Sequence, residues 1–222
     1  MNSIFVTGTD TEVGKTRISV ALIETLQQQG KRVAVMKPIA SGCELTDGGL
    51  RNDDALQLNQ QADISLPYQL INPYAFEPAI APHIAAKQAN IDIDLAQIKD
   101  NFEQIQQHAD AVVVEGAGGW LVPLNDHSSM ADLAHQLGLP VILVVGIRLG
   151  CINHALLTVQ AIEQKGCVLQ GWVANNIDQN TESSEIITTL KDRISAPCLA
   201  IVPFLATAEK ATAYFNLETD ND

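Results

Sequence analysis

A glycine-rich loop near the amino terminus most constrains what this chain can fold into. The apolar segment Ser3–Thr7 runs into Gly8–Thr16 (GTDTEVGKT), and an amphipathic stretch begins at once. Glycines permit unusual backbone angles, and free N–H groups at a helix start can bind an anion. The Lys side chain can bind phosphate, and the Thr hydroxyl can bind Mg²⁺. Five residues rather than four separate Gly8 from Gly14, so this is a longer variant of the phosphate-binding loop. We predict a nucleoside triphosphate site; a glycine turn that merely starts a helix is the alternative.

Apolar segments of strand length alternate with amphipathic segments of helix length along the chain. The predicted strands are Ser3–Thr7, Arg32–Met36, Ala111–Glu115, Val141–Val145, Leu169–Ala174 and Cys198–Val202. The predicted helices are Lys15–Gln29, Asp53–Gln61, Leu95–Gln107, Met130–Leu137, Asn153–Lys165 and Glu182–Ile194. Continuous apolar strands separated by helices indicate a sheet covered on both faces. We therefore predict a three-layer α/β fold of the P-loop NTPase kind, with a mainly parallel central sheet flanked by helices, in one domain over residues 1–222.

Two segments depart from this alternation. Ile64–Pro82 contains four prolines without a Ser/Gly bias, and we predict a long loop that wraps a site or an edge. The acidic end, with Glu218, Asp220 and Asp222, is predicted to be a frayed tail.

Charge and composition exclude several classes of partner. The chain has 13 basic and 26 acidic residues, for a net charge of −13, so nucleic acid and anionic membranes are disfavoured as partners. Its apolar runs are far shorter than the roughly 20 residues of a membrane-spanning helix. We find no secretory pattern at the amino terminus. The four cysteines show no metal-ligand spacing, so we expect reduced thiols and a cytoplasmic protein.

Acidic residues near strand ends are candidates for a metal site. Glu115 ends the apolar run AVVVE and precedes Gly116–Gly119, whose glycines let the backbone pass close to a ligand. A solvated strand end is the alternative for Glu115. Asp53 and Asp54 begin a helical stretch, where carboxylates also serve as caps and complement the helix dipole.

Three further groups follow predicted strands. Lys37 ends the second strand and could stabilise a transferring phosphoryl group; an ordinary surface lysine is the alternative. Ser41 follows in the same loop and could donate a hydrogen bond from its hydroxyl. The Asn175–Asn176 pair matches the donor–acceptor pattern of adenine, or makes a cap or turn. Gly150–Asn153 opens a helix and offers a second anion-binding terminus.

These segments together resemble the dethiobiotin synthetase family. The motifs that carry the resemblance are GTDTEVGKT (Gly8–Thr16), KPIASG (Lys37–Gly42), LRNDDAL (Leu50–Leu56), NPY…PH (Asn72–His83), VEGAGGW (Val114–Trp120), Pro140–Thr158 and GWVANN (Gly171–Asn176). They span nearly all of the chain. The match is weaker after Phe204, and Arg148 stands where the family often has Lys.

The resemblance implies an ATP- and Mg²⁺-dependent cyclo-ligase that joins CO₂ (or bicarbonate) to 7,8-diaminononanoate through a carbamate and a carbamic–phosphoric anhydride. It implies catalytic roles for Lys37, Lys15 and Thr11, and Mg²⁺ ligands in Thr16, Asp54 and Glu115. ATP contacts would come from Glu12, Val13, Gly14, Lys15, Thr16, Arg17, Asp54, Glu115, Gly116, Ala117, Gly118, Asn175, Asn176, Pro203 and Phe204. Substrate contacts would come from Thr11, Lys37, Ser41, Gly118, Gly150, Cys151, Ile152 and Asn153. A homodimer with the substrate at the subunit interface is expected.

Two other classes share this fold. Switch ATPases of the partitioning type usually carry an additional lysine near the start of the loop, where this chain has Thr9 and Asp10. Amidotransferase-type synthases of corrinoid metabolism carry a glutaminase domain, for which 222 residues leave no room. Both remain open alternatives to the ligase.

Overall fold

A computed structural model describes residues 3–179, 183–205 and 210–215 of the chain. Its strands are β1 (Ile4–Gly8), β2 (Val33–Met36), β3 (Ile39–Ser41), β4 (Glu44–Thr46), β5 (Gly49–Arg51), β6 (Tyr74–Phe76), β7 (Ala111–Gly119), β8 (Val141–Ile147), β9 (Leu169–Asn176) and β10 (Cys198–Val202). Its helices are α1 (Lys15–Gln28), α2 (Asp53–Gln61), α3 (Tyr68–Ile71), α4 (Pro82–Ala89), α5 (Leu95–Gln106), α6 (Met130–Leu137), α7 (Cys151–Gln164) and α8 (Ser183–Arg193). A 3₁₀ helix covers Ala211–Tyr214.

The six predicted strands form one parallel sheet in the order β10-β9-β8-β1-β7-β2. Strand β1 lies inside the sheet, where Phe5 pairs with Val114 of β7 and with Val141 of β8. The order places β2 at one edge. The predicted parallel sheet is confirmed.

Alternate residues of the central strands pack into different layers. Ile4 and Val6 of β1 pack in a cluster with Leu22 and Leu26 of α1. Phe5 packs in another cluster, with Ile98 of α5 and other residues of α5 and α6. Both faces of β1 are therefore buried, which is the reason Ile4, Phe5 and Val6 are consecutive apolar residues rather than an alternating pattern.

The prediction that Ile64–Pro82 is a loop is wrong in part. The segment contains α3 and β6, and β6 pairs in parallel with β3 through Ile39 and Tyr74. The hairpin of β4 and β5 and the helix α4 were also not predicted. These elements are only three to eight residues long, so they leave little periodicity in the sequence.

Several predicted boundaries move by a few residues. Strand β7 extends to Gly119, β9 extends to Asn176, and α7 begins at Cys151 rather than Asn153. Glu182 and the tail with Glu218, Asp220 and Asp222 lie outside the described residues. Within the described part of the chain, no helix is long and apolar enough to cross a membrane.

Candidate active site

A cavity of about 780 Å³ lies at the carboxyl edge of the sheet, where the phosphate-binding loop meets the segments that follow β2 and β7. Its lining includes eleven of the predicted site residues: Thr11, Glu12, Gly14, Lys15, Thr16, Lys37, Ser41, Asp54, Glu115, Ala117 and Gly118. Asn52, Ala40, Val122 and the segment 79–82 complete it. These residues are far apart in sequence, but they share one cavity because the carboxyl ends of parallel strands meet at the same edge of the sheet.

The phosphate-binding loop ends in a helix start that is open to an anion. Gly14 adopts φ 89° directly before α1, and no side chain of the described residues caps this helix. Lys15 is nearly buried, and its Nζ donates to the Asp10 carbonyl at 2.8 Å. Burial lowers the pKa of Lys15 to about 8, because the neighbouring Glu115 carboxylate only partly offsets the cost of desolvating the ammonium. The loop therefore presents backbone donors and a titratable cation together.

Lys37 joins two acidic side chains at the base of the cavity. Its Nζ lies 2.5 Å from Glu115 Oε1 and 2.8 Å from Asp54 Oδ2. Burial by itself favours the neutral amine, but the charges of Glu115 and Asp54 outweigh it and raise the pKa of Lys37 above its ordinary value. Lys37 is therefore a buried ammonium with two carboxylate partners at the strand end, and the surface-lysine alternative is wrong.

The predicted metal ligands lie beside one another. The Thr16 hydroxyl donates to Glu115 Oε1 at 3.0 Å, and Lys37 connects Glu115 to Asp54. Burial would raise the pKa of Asp54, but the Lys37 charge outweighs it and keeps this pKa below its usual value. Glu115 Oε2 is buried without a hydrogen-bond partner among the described residues.

This donor set fits Mg²⁺. Two carboxylates and a hydroxyl are hard oxygen ligands, and Mg²⁺ commonly takes its other ligands from water and substrate phosphates. The described residues hold no group of three or more His, Cys, Asp or Glu able to bind a metal by themselves. A cation here is thus expected to depend on the nucleotide for the rest of its coordination.

Two glycines of the VEGAGGW motif are required by close approaches. A Cβ at Gly116 would lie 3.2 Å from the Phe5 ring, and Gly118 adopts φ 62° with Val122 Cγ2 2.8 Å from where a Cβ would be. Gly116 itself is buried, whereas Gly118 and Ala117 line the cavity. The glycines therefore bring the backbone after Glu115 against the cavity.

The two asparagines that end β9 hold backbone groups of the protein. Asn175 Nδ2 donates to the Val13 carbonyl at 2.9 Å, and Asn176 Nδ2 donates to the Val202 carbonyl at 2.8 Å. Asn175 Oδ1 is buried and has no hydrogen-bond partner among the described residues. Contact of these amides with adenine stays a prediction.

Comparison with known proteins shows the family. Residues 2–212 match the family model described as an AAA domain. The ATP-dependent dethiobiotin synthetase BioD of Pseudomonas paraeruginosa is 50% identical over 220 residues, covering 98% of this chain and 96% of the relative. The enzyme of the same name from Cellvibrio japonicus is 47% identical over 218 residues, covering 97% of this chain and 96% of the relative. This chain belongs to the dethiobiotin synthetase family. Its curated relatives are ligases, and the chain is an enzyme of that class.

Solved structures place the same family within the P-loop NTPase fold. The MinD cell division protein of Aquifex aeolicus matches with a TM-score of 0.56 at 16% identity, over 92% of this chain and 83% of that chain. The cell division ATPase MinD of Pyrococcus furiosus matches with a TM-score of 0.56 at 17% identity, over 91% of this chain and 84% of that chain. Identities this low show the fold alone. The predicted fold class is confirmed.

Some site residues that the family resemblance implied lie away from the cavity. Gly150, with φ 90°, precedes α7, and neither it nor Cys151, Ile152 and Asn153 lines the cavity. Arg148, just before them, pairs with the Asp10 carboxylate of the phosphate-binding loop.

The predicted ATP contacts beyond β10 also lie away from the cavity. Pro203 and Phe204 follow β10 and do not line it, and Phe204 is 43% exposed. Arg17 Nη1 donates to the Leu205 carbonyl at 3.1 Å, which ties this segment to α1.

Sequence reasoning missed the apolar wall of the cavity. Ala40, Val122 and the segment 79–82 provide it. The prolines of the 64–82 segment were the available signal, because they indicated an ordered loop near a site, but spacing alone does not say which residues face it.

Proposed function

We propose that this chain is the ATP- and Mg²⁺-dependent cyclo-ligase that joins CO₂ to 7,8-diaminononanoate and forms the ureido ring of dethiobiotin. The observation that carries the proposal is the position of Lys37, an ammonium held by Glu115 and Asp54 beside the phosphate-binding loop. A synthetase must bring the nucleotide and an anionic acceptor to one place, and this cation lies where the two would meet.

The reaction divides into three steps. One amine of the substrate attacks CO₂, loses a proton and forms a carbamate. A carbamate oxygen then attacks the γ-phosphorus of ATP, ADP leaves, and a carbamic–phosphoric anhydride results. The second amine attacks the carbonyl carbon and expels phosphate, which closes the ring. The anhydride is needed because a carbamate itself is a poor electrophile.

Residues of this chain have distinct tasks in these steps. Lys15 and the N–H groups at the start of α1 bind the β- and γ-phosphates. Lys37 stabilises the anionic charge of the carbamate and of the phosphoryl group during transfer. Thr11 and Ser41 donate hydrogen bonds to substrate or phosphate; Ser41 Oγ is buried, lines the cavity and has no hydrogen-bond partner among the described residues.

Mg²⁺ would be held by Thr16, Asp54 and Glu115, and when bound it neutralises charge on the phosphate oxygens. The buried, unpartnered Glu115 Oε2 supports this assignment.

We also propose a cytoplasmic homodimer in which the α7 start of one subunit binds the carboxylate of the substrate held by the other. The start of α7 lies outside the cavity of its own chain. Leu149, just before α7, is 99% exposed and Leu157 of α7 is 57% exposed, and a second subunit at this helix would cover both side chains. A nine-carbon substrate is long enough to extend beyond a cavity formed by a single chain.

Phosphate release and dethiobiotin formation test the proposed reaction. Both are expected to require ATP, Mg²⁺, 7,8-diaminononanoate and bicarbonate, each omitted in turn. A rate of ATP hydrolysis that does not depend on the diamine, and that DNA or lipid vesicles increase, would instead support a switch ATPase. A co-crystal with the diamine and a non-hydrolysable ATP analogue tests the residue assignments and the dimer.

A further inference from the structure

The backbone of Lys37 is held from outside the main sheet. Strand β2 is an edge strand, and its pairing with β7 ends at Met36. The Lys37 N–H donates to the Ile71 carbonyl at 2.9 Å, and the Lys37 carbonyl accepts from Asn72 Nδ2 at 2.6 Å. Both polar groups of the Lys37 backbone are thus bound by the end of α3.

The same segment holds the start of α2. The Tyr68 hydroxyl donates to Asn72 Oδ1 at 3.0 Å and accepts from the Asn52 N–H at 2.9 Å. Asn52 is the residue that caps α2, and its Oδ1 accepts from the Ala55 N–H at 3.2 Å. Asp54 is the second residue of that helix. One hydroxyl group therefore connects the backbone of Lys37 to the helix start that carries Asp54.

The two asparagines of the network are buried, and Tyr68 is half-buried. Asn72 is 3% exposed and uses both ends of its amide. The Arg51 guanidinium lies over the Tyr68 ring, 4.2 Å from its centroid, and restricts the ring from the other side. Neither Tyr68 nor Asn72 lines the cavity, so neither is placed to touch a reacting atom.

We propose that Tyr68 and Asn72 are positioning residues of the reaction, which set the distance between Lys37 and Asp54. The Lys37 Nζ must reach Asp54, Glu115 and the transferring phosphoryl group together, and misplacement by about 1 Å can cost about a hundredfold in rate. The hydroxyl and amide fix the two backbone segments from which those side chains extend. The activity readout of this inference rests on the proposed function.

The chain contains a matched control for Tyr68. The Tyr74 hydroxyl accepts from the Asp94 N–H at 3.0 Å and donates to Gln97 Oε1 at 2.8 Å. Asp94 is the capping residue of α5, a helix that contributes nothing to the cavity lining. Tyr74→Phe therefore removes the same kind of hydrogen bond from the same kind of helix start, away from the site.

Tyr68→Phe and Tyr74→Phe are compared by melting temperature, kcat, KM for each substrate and the Mg²⁺ concentration at half activity. Both substitutions are expected to lower the melting temperature by similar amounts. Only Tyr68→Phe is expected to lower kcat, by at least about tenfold, and to raise the Mg²⁺ requirement because Asp54 shifts. Tyr74→Phe is expected to stay within about twofold of wild-type kcat. Equal kcat in the two variants would overturn the proposal.

Asn72→Ala provides a second variant if Tyr68→Phe does not fold. It removes the hydrogen bonds of Asn72 to the Lys37 carbonyl and to the Tyr68 hydroxyl, and it leaves the bond between Tyr68 and Asn52. We expect kcat to fall while the Mg²⁺ requirement stays near that of wild type. Unchanged kcat would contradict the proposal.

Amide hydrogen exchange separates this inference from the proposed function. The Lys37 N–H is expected to exchange faster in Tyr68→Phe than in Tyr74→Phe, whatever reaction the protein catalyses. Wild-type protein that forms no dethiobiotin would overturn the proposed function, and the exchange comparison would still decide the positioning role. Equal exchange at Lys37 in the two variants would overturn the positioning role.

Discussion

The ammonium of Lys37 lies 2.5 Å from a Glu115 carboxylate that is fully buried. Removal of one partner from a buried ion pair leaves the other charge uncompensated, which is far more costly than loss of a surface pair. Lys37 thus has two roles. It neutralises the Glu115 and Asp54 carboxylates, and it places a positive charge beside the substrates. Substitutions here need separate readouts for stability, binding and turnover.

Replacement of Lys37 by Gln is expected to lower turnover at least about a hundredfold while nucleotide binding persists. The charge acts on an anion that develops during transfer, so its loss affects the transition state more than the bound ground state. Lys15→Gln is the comparison, and it is expected to weaken ATP binding as well. Single-turnover kinetics and calorimetric titration with ADP give both quantities. Near-normal turnover of Lys37→Gln at saturating substrate would exclude the catalytic assignment.

Glu115→Gln preserves side-chain shape and removes one negative charge near the proposed metal site. The Mg²⁺ concentration needed for half activity is expected to rise, because hard cations prefer carboxylate oxygen to amide oxygen. A Mg²⁺ titration at fixed ATP measures this, and the melting temperature shows whether Lys37 tolerates the loss of its closest partner. A titration curve identical to that of wild type would reduce Glu115 to a structural role.

Nucleotide affinity is expected to fall as the pH rises above about 8. The pKa of Lys15 is lowered to about 8 by burial, so the ammonium loses its proton in this range and with it the attraction for phosphate. If only the charged form binds, the Kd for ADP increases toward tenfold per pH unit above that pKa. Lys15→Arg is the control, because its guanidinium stays charged and its Kd is expected to be flat over the same range. A flat wild-type profile between pH 7 and 10 would contradict the prediction.

Mixed dimers test whether the site is shared between subunits. Lys37→Ala removes the cation, and Asn153→Asp puts a negative charge against the substrate carboxylate, so each homodimer is expected to be nearly inactive. In a mixed dimer, one site receives both lesions and the other receives neither. Random pairing makes roughly half the dimers mixed, so about a quarter of wild-type activity is expected to return.

The mixed-dimer experiment needs two controls. Native mass spectrometry must detect the mixed species, and each variant alone must bind ATP. If activity does not return under those conditions, the substrate site lies within one chain.

The sequence predicted the parts of the site that depend on regular structure. Lys15, Lys37 and Glu115 each come after an apolar run that could be read from the sequence, and these runs lie in β1, β2 and β7. Parallel strands bring the residues after such runs to one edge of the sheet. The supporting contacts could not be read in this way. Tyr68 and Asn72 lie in and just after a helix of four residues, and their role depends on the edge position of β2, which only the strand order reveals.

Asn175 shows a second limit of sequence reasoning. Asn175 was predicted to follow the strand and contact a nucleotide base, yet it lies in β9 and its amide donates to the Val13 carbonyl of the phosphate-binding loop. A side chain at the carboxyl edge of the sheet can contact the ligand, the loop or both. Which of these it contacts depends on side-chain distances, and spacing in the sequence does not give those distances.

The contact between Asn175 and the phosphate-binding loop has a thermodynamic consequence. A Cβ at Gly14 would lie 2.2 Å from Asn175 Nδ2, so the amide rests directly on the turn that leads into α1. The loop is thereby held in its shape by a strand two places away from β1 in the sheet. Nucleotide binding then costs little free energy for ordering the phosphate-binding loop. Its heat capacity change is expected to reflect only the surface that nucleotide and cavity bury between them, with no contribution from coupled folding.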